Sequence, residues 1–225
     1  MTATVPARVD LVGRFVRLSP LTEADLDELY DAIGSAQVFA SGYGGGPAGL
    51  PGDAAAFREF ARDYYHWGER GIAYAIRLEG GAGAGRIVGT STLGDFEPVN
   101  EAAHLGWTAY DPRVWGTVVN PEAKLLLLGN AFDHGFGRVK LQADAVNERS
   151  RAAILRLGAT FEGVLRRVMP KPDGTWRDTA VYSVLADEWP SVRAGLEERI
   201  AAWGDRPVEL AVEHIRPGKS TPSSS

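Results

Sequence analysis

Arg113, Gly116, Asn120 and Pro121 fall in one short stretch, Arg113-Val114-Trp115-Gly116-Thr117-Val118-Val119-Asn120-Pro121. Asn120 can cap a helix and Pro121 suits a first turn. Leu125 to Leu128, Ala131 and Phe132 then supply an apolar helix body. A glycine-bearing loop feeding a helix N-terminus offers free backbone N–H groups at the positive end of the helix dipole. Such a place suits an anion, and phosphate above all. The chemistry indicated is binding of a phosphorylated cofactor. Other chemistries lack their residues. The chain has no cysteine, which removes disulfides, thiolate ligands and a cysteine nucleophile. Four scattered histidines argue against a zinc site. The serine-hydrolase pattern Gly-x-Ser-x-Gly does not occur.

The elements that must position this loop are legible from periodicity and caps. Arg14 to Leu18 alternates as a first strand. Thr22, with Asp25 three residues on, opens a helix carrying Leu26, Leu29 and Ile33, and Gly34 stops it. Ser41 to Gly52 holds six glycines and two prolines and reads as a loop. Asp53 opens a second helix, with Phe57, Phe60, Tyr64 and Trp67 at helical spacing and His66 among them. Tyr74–Glu79 and Arg86–Phe96 form a hairpin around Gly80 to Gly85. Ala102–Tyr110 is a strand leading into the anion loop. After the loop's helix, Arg138–Ala145 is a strand, and Glu148–Leu157 is a helix between the cap Asn147 and Gly158. Phe161–Met169 and Thr175–Leu185 form a second hairpin. Asp187 opens a last helix with Val192, Leu196, Ile200 and Trp203 on one face. This order predicts an α/β (α+β) fold: one domain, a mixed sheet of about seven strands, and helices on both sides.

The 225 residues, 44% hydrophobic, fit one domain with a full core. The expected division is an N-terminal extension over 1–12, the domain over 13–203, and a C-terminal extension over 204–225 ending in a polar, disordered tail from Pro217. The net charge of −5 argues against nucleic acid and allows an amine substrate. Met1 to Asp10 carries no signal-peptide core, and no apolar run approaches membrane-spanning length. A cytoplasmic protein without a membrane partner is expected.

Four motifs in this order resemble the GCN5-related N-acetyltransferase (GNAT) superfamily, in the branch of the ribosomal-protein alanine acetyltransferases. They are Gly13-Arg14-Phe15-Val16-Arg17-Leu18-Ser19-Pro20-Leu21-Thr22, Leu105-Gly106-Trp107-Thr108, Arg113-Val114-Trp115-Gly116-Thr117-Val118, and Asn147-Glu148-Arg149-Ser150 followed by Leu157-Gly158-Ala159. The third is similar to the family's acyl-CoA loop. The resemblance spans Gly13 to Trp203 and implies acetyl-CoA as co-substrate, with no metal. Two positions depart from it. Val118 stands where the family has glycine or alanine, and His104 stands where the branch often has glutamate.

The resemblance implies roles at numbered positions. Acetyl transfer to an amine needs a base, oxyanion donors and a proton for the leaving thiolate. His104 is the candidate base, its ordinary pKa of about 6.5 suiting the task. The alternative is a strand histidine bonded to a neighbour. Backbone N–H groups near Trp107 and Thr108 are the candidate oxyanion donors. Ser150 is the candidate proton donor to sulfur, or else a serine satisfying its own helix end. Arg113, Val114, Trp115, Gly116, Thr117 and Val118 would hold the pyrophosphate, Asn147 the pantetheine arm, and Arg151, with Arg149, the 3′-phosphate. Phe39, Tyr43, Trp67 and Trp176 are candidate acceptor walls. Glu101 is a reserve base, and Asp95 and Glu97 are carboxylates that could attract an amine.

The expected activity is therefore N-acetyl transfer from acetyl-CoA to a primary amine, in a ternary complex. A small-molecule acceptor is preferred, since no basic patch marks a docking surface for ribosomes. The branch allows a homodimer. Val118 and His104 keep two alternatives open: a repurposed fold with another donor or chemistry, and a non-catalytic binding module.

Overall fold

The computed structural model describes residues 2–40 and 42–210. The tail expected from Pro217 lies outside them. One mixed sheet of eight strands runs in the order β1-β2-β3-β4-β5-β6-β8-β7. The strands are β1 (Leu11–Val12), β2 (Val16–Pro20), β3 (Gly71–Leu78), β4 (Ile87–Glu97), β5 (Ala102–Tyr110), β6 (Arg138–Asp144), β7 (Thr160–Pro170) and β8 (Trp176–Leu185). The strand beyond the expected seven is β1, a two-residue segment paired with Leu18 and Arg17.

Six helices cover the sheet: α1 (Leu26–Ile33), α2 (Ala36–Phe39), α3 (Ala54–Tyr64), α4 (Val119–Asp133), α5 (Glu148–Leu157) and α6 (Trp189–Trp203). The apolar residues fall into two cores. Leu127 and Leu128 of α4, Leu157 of α5 and Leu196 of α6 share one with Ile72, Tyr74 and Ile76. Leu29 of α1, Val38 of α2 and Phe57 of α3 share the other with Ala73 and Ala75. Alternate residues of β3 thus enter opposite cores, as the two-residue period of a strand requires. Burial on both faces explains why β3 reads as a continuous apolar run.

The expected caps form at several ends. Thr22 and Asp25 make a capping box, Asp53 accepts from the Ala56 amide, and Asn147 accepts from the Ser150 amide. Helix α4 differs. It begins at Val119 with Val118 at its N-cap, so Asn120 lies inside the first turn and does not cap it. Helix α3 also ends before His66 and Trp67, which belong to the following loop.

Two irregularities shape the site. Parallel pairing of β5 with β6 covers only Ala102–His104 against Arg138–Lys140, after which the strands part. Beside the gap, Thr90 pairs with Ala109 and Thr92 with Gly106, so Ser91 alone faces both Trp107 and Thr108. That is a β-bulge, and Trp107 takes φ +49° within it.

Candidate active site

His104 sits on β5 three residues before the bulge residue Trp107. It is 2% exposed, and its Nδ1 lies 3.0 Å from Asp95 Oδ2. Asp95 holds φ +47° near the end of β4, and its other oxygen lies 3.8 Å from His66 Nδ1. The Trp107 indole packs on both imidazoles, with centroids 4.1 Å from His66 and 4.6 Å from His104. The cluster needs small residues beneath it. A side chain at Gly106 would meet His104 Nε2 at 2.9 Å, and one at Gly94 would meet His66 Nδ1 at 2.7 Å.

Electrostatics assign the His104 proton. Burial pushes its pKa below the ordinary value, opposed by the bond to Asp95. The same bond holds the Asp95 carboxyl below its usual range. Neutral His104 therefore donates Nδ1–H to ionised Asp95, leaving an Nε2 lone pair that no polar atom of the described residues engages. A buried imidazole with a carboxylate behind it and a free basic nitrogen in front is equipped to accept a proton.

The anion loop follows β5. Gly116 has φ +74°, a conformation that favours glycine, and the space beside its Cα is open. Among the described residues, no hydrogen bond occupies the backbone N–H of Gly116 or Val118. Those two donors precede α4, where the helix dipole is positive. Val118 has φ −69° and is 2% exposed within the core on the α4 side. Its branched side chain fits the backbone without strain. Thr117 turns its hydroxyl onto the Val114 carbonyl, and Trp115 Nε1 donates to the Tyr110 carbonyl. Val114 is buried. Arg113 folds back onto buried Asp111, with Nε 3.0 Å from each carboxylate oxygen.

Across the gap, the end of β6 leads into α5. A cavity of about 340 Å³ opens there between the 42–47 loop, Asp144, Asn147, Arg149 and the hairpin residues Lys171 and Asp173. Lys171 Nζ lies 2.7 Å from Asp144 Oδ2, a largely buried ion pair. Arg149 stacks over the Trp115 ring at 3.6 Å and so ties α5 to the anion loop. Arg151 donates to Tyr182 Oη and to the Ala145 carbonyl, both at 3.0 Å, which bends it towards the sheet. Ser150 occupies the first turn of α5, half-buried.

The acceptor candidates scatter. Phe39 and Tyr43 are buried in the aromatic core beside α3, and the Tyr43 hydroxyl bonds that of Tyr65. Trp67 is half-buried and donates to the Ala61 carbonyl. Trp176 lies on the exposed hairpin under the Arg167 guanidinium. None of the four lines the cavity. Glu97 binds Asn100, and the Glu101 carbonyl accepts from Gly137 and Arg138. Among the described residues no group of histidines and carboxylates is arranged to hold a metal ion.

The profile of the Acetyltransferase (GNAT) domain family matches residues 16–160, which include the bulge, the anion loop and the whole of α5. The chain belongs to the GNAT acetyltransferase family. No curated protein matches it. Among solved structures, a GCN5-related N-acetyltransferase from Brucella melitensis is 27% identical, with a TM-score of 0.78 over 88% of this chain and 87% of that one. A T. thermophilus protein assigned as an acetyltransferase is 34% identical, with a TM-score of 0.74 over 88% of this chain and all of the other. RimJ of Mycobacterium smegmatis, solved with CoA-disulfide, shares the fold at 22% identity and a TM-score of 0.64, over 88% and 97% of the two chains.

Within this GNAT domain the structure adds two residues to the candidate site, His66 and Lys124, and makes Asp95 the partner of His104. Asp95 meets His104 across the β4–β5 hairpin, and His66 joins them from the loop after α3. Lys124 is 8% exposed on α4, its Nζ 2.9 Å from Thr108 Oγ1. A single cation inside the run Ala123-Lys124-Leu125-Leu126-Leu127-Leu128 was the available signal for it. No helix among the described residues is long and apolar enough to cross a membrane.

Proposed function

We propose that this chain is an N-acetyltransferase that moves an acetyl group from acetyl-CoA to a primary amine of a small molecule, in a ternary complex. The observation that carries this reading is the Asp95–His104 pair, held beside a bulge in the strand that parts from β6. The free amides of Gly116 and Val118 at the start of α4 fit a pyrophosphate. Acetyl-CoA would supply the activated acyl group.

The chain's own residues divide the remaining work. Asp95 fixes the imidazole so that Nε2 faces away from it as the base. Gly106 and Trp107 cover Nε2, which is buried, so the amine proton reaches it only when this cover moves aside. The amine nitrogen forms its bond to the acyl carbon as the C–S bond breaks. The N–H groups of the bulge would stabilise charge on the acyl oxygen, and Ser150 would return a proton to the thiolate. The cavity beside Asn147, lined by both acidic and basic side chains, supports a small polar acceptor over a protein surface.

The unstrained backbone of Val118 and its burial in the core favour a tolerated variant over a decayed loop. The deciding test combines calorimetry with acetyl-CoA and thiol release in the presence of an amine panel. Micromolar binding and acceptor-dependent thiol release are expected. No binding and no release with any amine would refute the reading.

A further inference from the structure

Lys124 lies under the bulge of β5 and touches the two hydroxyls that define it. Its Nζ is 2.9 Å from Thr108 Oγ1 and 3.2 Å from Ser91 Oγ. The hydroxyls are 2.8 Å apart, and the Gly106 carbonyl lies 3.2 Å from Thr108 Oγ1 and 3.4 Å from Ser91 Oγ. Among the described residues no carboxylate pairs with Lys124. Ser91 is the one β4 residue opposite the two bulge residues, so the network sits on the irregularity itself.

The donor count gives this arrangement a direction. Charged or neutral, the Lys124 amine has enough N–H bonds to donate to both hydroxyl oxygens, which keep their own protons to give. One hydroxyl gives its proton to the other across 2.8 Å, and the acceptor left for the second is the Gly106 carbonyl. The Gly106–Trp107 peptide is trans and planar, so its C=O and N–H point opposite ways. A carbonyl drawn towards Ser91 on β4 turns the Trp107 N–H away from β4, to the side where β5 and β6 have parted.

We propose that Lys124 is a positioning residue for acyl transfer: through Ser91 and Thr108 it fixes the Gly106–Trp107 peptide so that the Trp107 N–H faces the acyl oxygen in the β5–β6 gap. This rests on the acetyltransferase reading. An amine in this position opposes stability, since burial alone pushes its pKa down to about 7. A methionine would fill the same space without that penalty, and buried ionic groups are often replaced by apolar ones at no loss of stability. The lysine is explained by what it holds.

The test is Lys124→Met in the full chain, beside Ser91→Ala/Thr108→Val and the triple variant. Lys124→Met should lower kcat by roughly tenfold or more, the scale set by one misaligned oxyanion donor. The KM for acetyl-CoA should stay within about threefold and the melting temperature should not fall. The triple variant should be no slower than the slower parent, as expected for one shared network. Hydrogen exchange at the Trp107 and Thr108 amides should quicken in Lys124→Met. A wild-type kcat, a slow variant that has also lost thermal stability, or unchanged exchange would each overturn the proposal. Wild-type protein that releases no thiol with any amine overturns the acetyltransferase reading instead, and faster exchange would then still support the peptide's dependence on Lys124.

Discussion

Asp95 Oδ2 accepts from His104 Nδ1 at 3.0 Å, and that bond decides which imidazole nitrogen is basic. Asp95→Asn removes an influence that raises the His104 pKa and leaves the lowering by burial. With His104 as the proposed base, turnover requires it neutral, so the wild-type profile should fall as the pH drops through a His104 pKa below 6.5. In Asp95→Asn this acid limb should move to lower pH, and kcat should drop roughly 10- to 100-fold as the ring loses its orientation. A pH–rate profile of both proteins checks the direction. An acid limb that moves upward would mean that Asp95 does not orient and charge-balance the imidazole.

His104→Gln should lower kcat by roughly 10²-fold, the usual scale of a lost general base. It should leave acetyl-CoA affinity nearly unchanged, because the anion loop lies beyond the far end of β5. Combined with Asp95→Asn it should add little, since Asp95 acts through the imidazole. Steady-state kinetics of the two variants and their combination test the coupling. Full additivity would mean that Asp95 and His104 act separately.

The caps and periodicities that a reader of the sequence can use are local, and the structure has them. Asn147, Gly158, Thr22 and Asp25 each mark a helix end within a few residues. The site was less legible because its parts meet only through the sheet. The bulge leaves no trace in the alternation of β5, since one extra residue resets the register and both sides still read as strand. Asp95 reads as a solvated carboxylate until Gly94 is seen opposite His104. Lys124 reads as the polar edge of an apolar helix until both faces of α4 near it prove buried, Glu122 included. Asn120 was a plausible cap by residue type, but the loop enters the helix already in helical geometry at Val118.

The anion loop gives two opposed expectations. Val118→Gly should leave acetyl-CoA affinity within about twofold, while removal of a buried valine side chain destabilises the fold by roughly 2–3 kcal/mol. Gly116→Val places a branched side chain at φ +74°. It should weaken binding by roughly tenfold or more, because the loop must leave this conformation. Calorimetry and urea unfolding read both. Val118→Gly that binds far more tightly would restore the decayed-loop alternative.

Glu122 supports the same helix end from inside. Its carboxylate accepts from the Arg14, Phe15 and Val16 amides at 2.8, 2.7 and 2.8 Å and joins α4 to the start of β2. Glu122→Gln keeps the shape but turns one acceptor into a donor facing an N–H. The loss should be roughly 2–3 kcal/mol, the scale of buried hydrogen bonds to a charged group. It should appear as a lower urea midpoint with an unchanged slope. An unchanged midpoint would mean that solvent replaces the carboxylate without penalty.

Lys124 makes the pH dependence of stability itself a measurement. Its pKa is about 7 in the folded chain against an ordinary value of 10.5. Between these values the unfolded state binds more protons, so stability rises with pH across this window. The penalty is complete below about pH 7, where a charged amine stays buried, and it is gone above 10.5, where the amine is neutral in both states. Its full size is on the order of 5 kcal/mol. Lys124→Met should therefore be more stable than wild type at pH 6, with the difference shrinking steadily towards pH 10. Urea unfolding of both proteins at several pH values checks this. A difference that stays flat with pH would place the amine's folded pKa near its ordinary value, and a lysine held without penalty would not need its bulge network to explain why it is there.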